Sequence, residues 1–313
     1  MSSKIIPPPP ILDRRAWFRA STAGAAALLL GTAPRPAKGE PDHRPTRFQI
    51  ACMTLPYARF SLQRALTGLQ TAGYRFIAWG TTHQDGADRV PALAQDAPPD
   101  RAQELARRCR DLGLEPVMMF GPSPEAIDAL KHRVRQAAAA GVAQVLTMGS
   151  TKGNDAALWI KNFRELAPFA RDHGVRIVVK QHGGNTGTGA ALAEITRAVA
   201  DEGVKISYDA GNVMDYHDID PIPDLKSCAD EVRGFCVKDH RNFPKDQDCG
   251  PGFGEIDHYK LLHPVADTGL DMPLCCENIS APLLPPATDP EAIDVLARRA
   301  REFLEVVTRG LQA

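Results

Sequence analysis

The chain carries almost no net charge. Its 37 lysines and arginines stand against 38 aspartates and glutamates, interspersed, leaving a formal charge of −1. That lacks the basic surface from which nucleic-acid binding draws its affinity, and it suits a small neutral or weakly charged ligand. The apolar stretch from Ala20 to Ala33 is too short and too alanine-rich for a comfortable membrane span. No glycine fingerprint follows the first apolar strand, which runs instead into Thr54-Leu55-Pro56-Tyr57. The usual signature of a dinucleotide-binding open sheet is therefore missing. Seven cysteines make an odd count, so at least one thiol is unpaired in a monomer. Cys275 and Cys276 are adjacent on an apolar run, which suits buried thiols, and no essential disulfide is expected.

What is present begins with a targeting signal. Within residues 1–40, Asp13-Arg14-Arg15-Ala16-Trp17-Phe18-Arg19 resembles the twin-arginine export motif. The expectation is export by that route, as a folded protein, to the periplasm or cell envelope. Pro34 directly after Gly31-Thr32-Ala33 makes a poor cleavage site, so the segment either is cut elsewhere or stays as a tether.

Residues 41–313 read as one domain, and a hydrophobic share of 43 % is enough for a sizeable core. A helical stretch ends, a glycine follows and an apolar strand begins at Gly73, Gly113, Gly141, Gly174, Gly203 and Gly269. Glycine suits the left-handed residue after a helix. With a first strand at Phe48 to Met53, and one at Arg233 to Lys238 without the glycine, the count is eight strands. Between them, Ile127, Leu130, Val134 and Ala137 share one helical face, as do Trp159, Phe163, Leu166 and Ala170. Pro168 predicts a kink. Ser123-Pro124 and Asp289-Pro290 both mark helix starts. This rhythm predicts a (β/α)8 TIM barrel.

In such barrels the active site gathers at the C-terminal ends of the strands. The fifth strand ends Lys180-Gln181-His182, the sixth Asp209 with Asn212 beyond, the seventh Lys238-Asp239-His240 and the eighth Glu277-Asn278. His83, His217, His258 and His263 have no motif around them and read as structural. Gly183, Gly184, Gly187 and Gly189 lead into a helix that Thr188 could cap. An anion could sit there, but no Gly-Lys-Ser/Thr follows, and a turn with close backbone approach accounts for the glycines as well.

The motifs SYDAGNV (207–213), FCVKDH (235–240), GPGFGEID (250–257) and CCENI (275–279), in that order, resemble those of the xylose-isomerase-like TIM barrels over roughly residues 47–310. That family includes sugar-phosphate isomerases, ketose epimerases and inosose dehydratases. The resemblance implies a divalent metal held by two glutamates, an aspartate and a histidine. Asp209 and Glu277 match, but the strand-five glutamate falls on Lys180 and the strand-seven histidine on Cys236.

Three arrangements follow. Lys180 either snorkels to solvent or places its ammonium between Asp209 and Glu277, where family members keep the metal. In the third, His182 and His240 rebuild a metal site with Asp209 and Glu277, suited to zinc, manganese or iron. The cofactor is thus none, or one weakly held divalent metal (Mn, Zn, Co or Mg). Gln181, His182, Asn212, Lys238, Asp239 and His240 are the candidate substrate contacts. Lys238-Asp239 resembles a family pair beside the sugar; a local surface ion pair is the alternative.

The resemblance further implies a sugar, keto-sugar or cyclitol as partner, and proton abstraction next to a carbonyl. Glu277 or Asp209 would be the base, and Lys180 or a metal the stabiliser of the oxyanion. The same parts serve a keto-sugar lyase or dehydratase. A barrel that binds sugar without turnover is the non-enzymatic reading. A phosphodiester-cleaving relative would want a histidine-rich metal cluster and a basic face, and neither is present.

Overall fold

The computed structural model describes residues 44–313; the segment expected to be a twin-arginine signal, residues 1–40, lies outside the described residues. The chain runs β1 (Arg47–Met53), α1 (Leu62–Thr71), β2 (Phe76–Trp79), β3 (Thr82–Asp85), β4 (Asp88–Pro91), α2 (Pro99–Asp111) and β5 (Glu115–Phe120). It continues α3 (Ile127–Ala140), β6 (Gln144–Met148), α4 (Ala156–Asp172), β7 (Arg176–Lys180), α5 (Gly189–Val199) and β8 (Val204–Tyr208). Then come α6 (Ala210–His217), α7 (Pro221–Cys228), β9 (Val232–Val237), β10 (Asp239–Arg241), β11 (Gln247–Cys249), α8 (His258–Leu262), β12 (Asp271–Cys276) and α9 (Pro290–Leu311).

Strands β1, β2, β5, β6, β7, β8, β9 and β12 form a closed parallel barrel, β12 pairing back onto β1 from Arg47↔Asp271 to Cys52↔Cys276. The fold is the (β/α)8 TIM barrel. Two antiparallel hairpins, β3–β4 and β10–β11, decorate it. Among the described residues, no helix is long and apolar enough to cross a membrane.

The strand pleat sorts the core into two shells, because successive side chains point to opposite faces. Ala51, Met53, Met118, Leu146, Val178, Cys236 and Cys275 fill the barrel interior. Their neighbours Cys52, Val145, Val179, Val237 and Cys276 face the helices. All seven cysteines are buried and free.

The helix starts divide. Asp289 accepts from Ala292 N at 2.8 Å and caps α9, with Pro290 in its first turn. Ser123-Pro124 does not open α3. Ser123 accepts from Glu125 N in a local turn, Ala126 breaks the helical backbone with ψ 71, and the helix begins at Ile127. Helix α4 runs on through Pro168 to Asp172. Gly141 is left-handed at φ 69, as a glycine after a helix should be. Gly203 is not. There Ala200 takes the left-handed turn, and Gly203 is required because a Cβ would overlap the Ala167 carbonyl.

Candidate active site

The same pleat assembles a charged cluster at the mouth of the barrel. Val178, Cys236 and Cys275 face the interior, so Lys180, Lys238 and Glu277, two residues further along each chain segment, point the same way. Asp209 follows the Ser207 position, whose hydroxyl reaches Cys236 Sγ at 3.6 Å. Strand register thus stacks a charged layer on an apolar one.

Lys180 Nζ donates to both oxygens of Glu277, at 2.5 and 2.6 Å. It also lies 3.1 Å from Asp209 Oδ2. That last approach is an ion pair without hydrogen-bond geometry, so Asp209 Oδ2 has no hydrogen-bond donor. The lysine is 3 % exposed and does not snorkel. Burial alone would lower its pKa, but Asp209 and then Glu277 outweigh burial and raise it, keeping the ammonium charged. Lys238 is raised likewise, burial being outweighed by Asp209 and Glu277. It bonds Asp248 Oδ2 at 2.7 Å and lies 3.8 Å from Glu277. Asp209 is held below the usual carboxylate range, because Lys238 and Lys180 overcome its burial.

A cavity of about 490 Å³ opens above this cluster, within the roughly 300–1,000 Å³ of small-ligand sites. Lys180, Lys238, Glu277, Asn212, His182 and Asp248 supply its polar lining, and Leu55, Ile279, Ile293 and Leu296 its apolar wall. His182 Nδ1 sits 3.0 Å from the Gly149 carbonyl. A carbonyl only accepts, so Nδ1 carries the proton and Nε2 of the neutral ring keeps its lone pair. Asn212 Nδ2 donates to the Gln181 carbonyl at 2.6 Å, leaving Oδ1 without a partner.

Three of the expected substrate contacts do not line the cavity. Gln181 Oε1 accepts from Asp209 N at 2.9 Å and so sets the carboxylate. Asp239 is fully buried and accepts from the backbone N–H groups of His240, Gly252 and Ile256. It organises the glycine-rich loop and makes no surface pair with Lys238. His240 turns to Asp248, Nδ1 to Oδ1 at 3.1 Å. Thr188 caps α5 through Ala191 N, and a Cβ on Gly187 would run into His217. Close backbone approach accounts for that glycine. Asp248, Arg59 and Tyr216 also line the cavity and were missed by sequence reasoning. Asp248 stands two residues before the glycine-rich loop, the only signal that could have flagged it.

The donors do not fit a divalent ion at the implied position. The Lys180 ammonium already shares both carboxylates, and within about 4 Å it would repel such an ion by several kcal/mol. Cys236, in the histidine's place, is a thiol whose pKa burial pushes up. Nor do His182 and His240 join Asp209 and Glu277, since each ring has the separate partner given above. Among the described residues, the histidine and carboxylates that do converge are Asp215, His240 and Asp248, with ligand atoms within 4.8 Å of one another.

A closed (β/α)8 barrel with an ionisable cluster at the strand C-termini defines the class. The xylose isomerase-like TIM barrel description matches residues 67–302, and the chain belongs to that family. Among solved structures, an L-ribulose 3-epimerase superposes with a TM-score of 0.65 at 16% identity, over 84% of this chain and 95% of its own. A D-psicose 3-epimerase determined in the presence of D-fructose gives 0.62 at 13%, over 83% and 99%. A xylose isomerase-like barrel from Mycobacterium smegmatis in complex with magnesium gives 0.64 at 15%, over 86% and 98%. At these identities the likeness is one of fold. No curated protein sequence matches the chain.

Proposed function

We propose that the barrel is a carbohydrate isomerase or epimerase that moves a proton next to a carbonyl, with lysine ammonium groups supplying the positive charge at the reacting oxygen. The observation that carries this reading is the Lys180 ammonium, buried between Glu277 and Asp209 in the floor of the cavity. It gives the cluster a fixed cation at the place where the resemblance puts a metal.

The hydrogen bonds refine the roles. Both Glu277 oxygens are taken by Lys180, so Glu277 and Asp209 hold the cation in place while another group moves the proton. His182 is that group: its Nε2 lone pair is free, and the Gly149 carbonyl fixes the tautomer. Lys238 has one close carboxylate, Asp248, and donors left for a substrate oxygen that becomes an enolate. In an isomerisation the proton removed by His182 returns to the neighbouring carbon while the hydroxyl proton passes from one substrate oxygen to the other through the enediol; in an epimerisation a proton is delivered to the opposite face of the same carbon by a second donor. Barrels that superpose include an L-ribulose 3-epimerase and a D-psicose 3-epimerase, which support a carbohydrate substrate.

The test is solvent exchange. Keto-sugars and cyclitol ketones incubated with the protein in D2O should acquire deuterium next to the carbonyl, read by NMR. Lys238→Met should lower turnover by roughly 10²-fold or more, the scale of losing one oxyanion donor. Release of water from the substrate would identify a lyase using the same parts. A second reading, a barrel that binds sugar without turnover, is favoured by Lys180 saturating Glu277. Binding without deuterium incorporation would establish it and overturn the enzymatic one.

A further inference from the structure

A second hollow, of about 280 Å³, opens at the C-terminal ends of β2 and β5 and shares no lining residue with the Lys180 cavity. Its single charged lining residue is Arg133 of α3. Arg133 is 7 % exposed. Among the described residues no carboxylate lies within ion-pair distance of it. Its Nε and Nη2 donate to Gln95 Oε1 at 3.2 and 2.7 Å, and Nη1 only reaches the Leu93 carbonyl at 3.5 Å. A guanidinium has five N–H donors, so at least two are left over.

This is an unusual state for a buried arginine. A desolvated charge without a counter-charge is strongly unfavourable, and proteins ordinarily pair it. Burial with nothing to oppose it pulls the Arg133 pKa down to about 10, which still leaves the group charged at neutral pH. Neutral groups hold it in place. Gln95 Nε2 is anchored on the Ala129 carbonyl at 2.9 Å, which turns Oε1 toward the guanidinium. Thr81 and Thr82 add hydroxyl groups to the lining. The hollow therefore offers one cation, spare donors and polar neighbours, with no negative group of its own.

We propose that this hollow binds an oxyanion, the carboxylate or phosphate group of a small metabolite, with Arg133 as its fixed cation and bidentate donor. The anion completes the charge balance that the protein leaves open.

The experiment is a thermal-unfolding titration of the full chain at constant ionic strength in chloride, with inorganic phosphate or malonate added. At ten times its Kd, the bound anion should raise the midpoint by about 2–3 °C. Arg133→Met should abolish that rise, and Arg133→Lys should lose most of it, because an ammonium cannot offer the planar fork. A response to phosphate alone assigns a phosphate group, and one to malonate alone a carboxylate. No response of the wild type to either anion would overturn the proposal. So would equal responses in wild type and Arg133→Met, which would mean adventitious surface binding. Should Arg133→Met not fold, Arg133→Lys decides: an undiminished response there sinks the site.

Discussion

Replacing Lys180 by methionine removes one positive charge from beneath two carboxylates. Asp209 is fully buried and Glu277 nearly so, and the lysine is the close cation both share. Breaking a buried pair from one side leaves the other charges uncompensated, at a cost of about 3–5 kcal/mol. Urea unfolding should show that loss; one below about 1 kcal/mol, the scale of exposed ion pairs, would mean the cluster is hydrated. A second expectation concerns pH. Burial lowers the pKa of His83 and of His258. A group depressed on folding contributes stability that is full above its unfolded value, near pH 6.5, and is lost as pH falls through its folded value. Thermal stability should thus hold above pH 7 and decline below about 6.5, with His258→Asn removing part of the slope. A flat profile from pH 7 to 5 would show that these rings titrate normally. Lys180, Asp209 and Glu277 were legible in the sequence because each ends an apolar strand, and the two-residue period gives their direction. Asp248 was not, because it meets Lys238 only through the return of the β10–β11 hairpin, and no periodicity announces a pairing across a turn.

At the level of elements, two identical-looking helix starts behave differently. Ser123-Pro124 and Asp289-Pro290 present the same cue, a cap residue before proline. Asp289 receives Ala292 N, whereas Ser123 spends its hydroxyl on a turn before α3. Asp289→Ala should therefore destabilise the protein by about 1 kcal/mol, and Ser123→Ala by less than about 0.5 kcal/mol. Equal losses in chemical denaturation would show that both residues act as helix caps. The eight barrel strands were readable from apolar runs, most of them following a glycine, and helices α3 and α4 from their apolar periodicity, since each buries a continuous stripe. The hairpin β3–β4 was not, because β4 is exposed along its whole length and lacks the alternation that marks a half-buried strand. Gly203 fits the glycine rhythm for a different reason, the approach of Ala167, which only the packed helix α4 reveals.

For the whole molecule, we propose export by the twin-arginine route, on the motif at residues 13–19. Changing Arg14 and Arg15 to lysine should hold the protein in the cytoplasm on cell fractionation, and undiminished periplasmic recovery would overturn the assignment. That route accepts cargo already folded, which gives the closure of the barrel a consequence in time. Strand β1 is synthesised first and completes its pairing only with β12, across the Arg47↔Asp271 register. Glu277 is the residue immediately after β12, and it is the partner that binds Lys180, 97 residues earlier in the chain. During synthesis, then, Lys180 and Lys238 face Asp209 without Glu277 until the last strand docks. Lys180 gains its two hydrogen-bonded carboxylate oxygens only when the barrel shuts, so a chain stalled before β12 carries an open edge and a lysine without its main partner together. Both are features a quality-control system could read as unfinished.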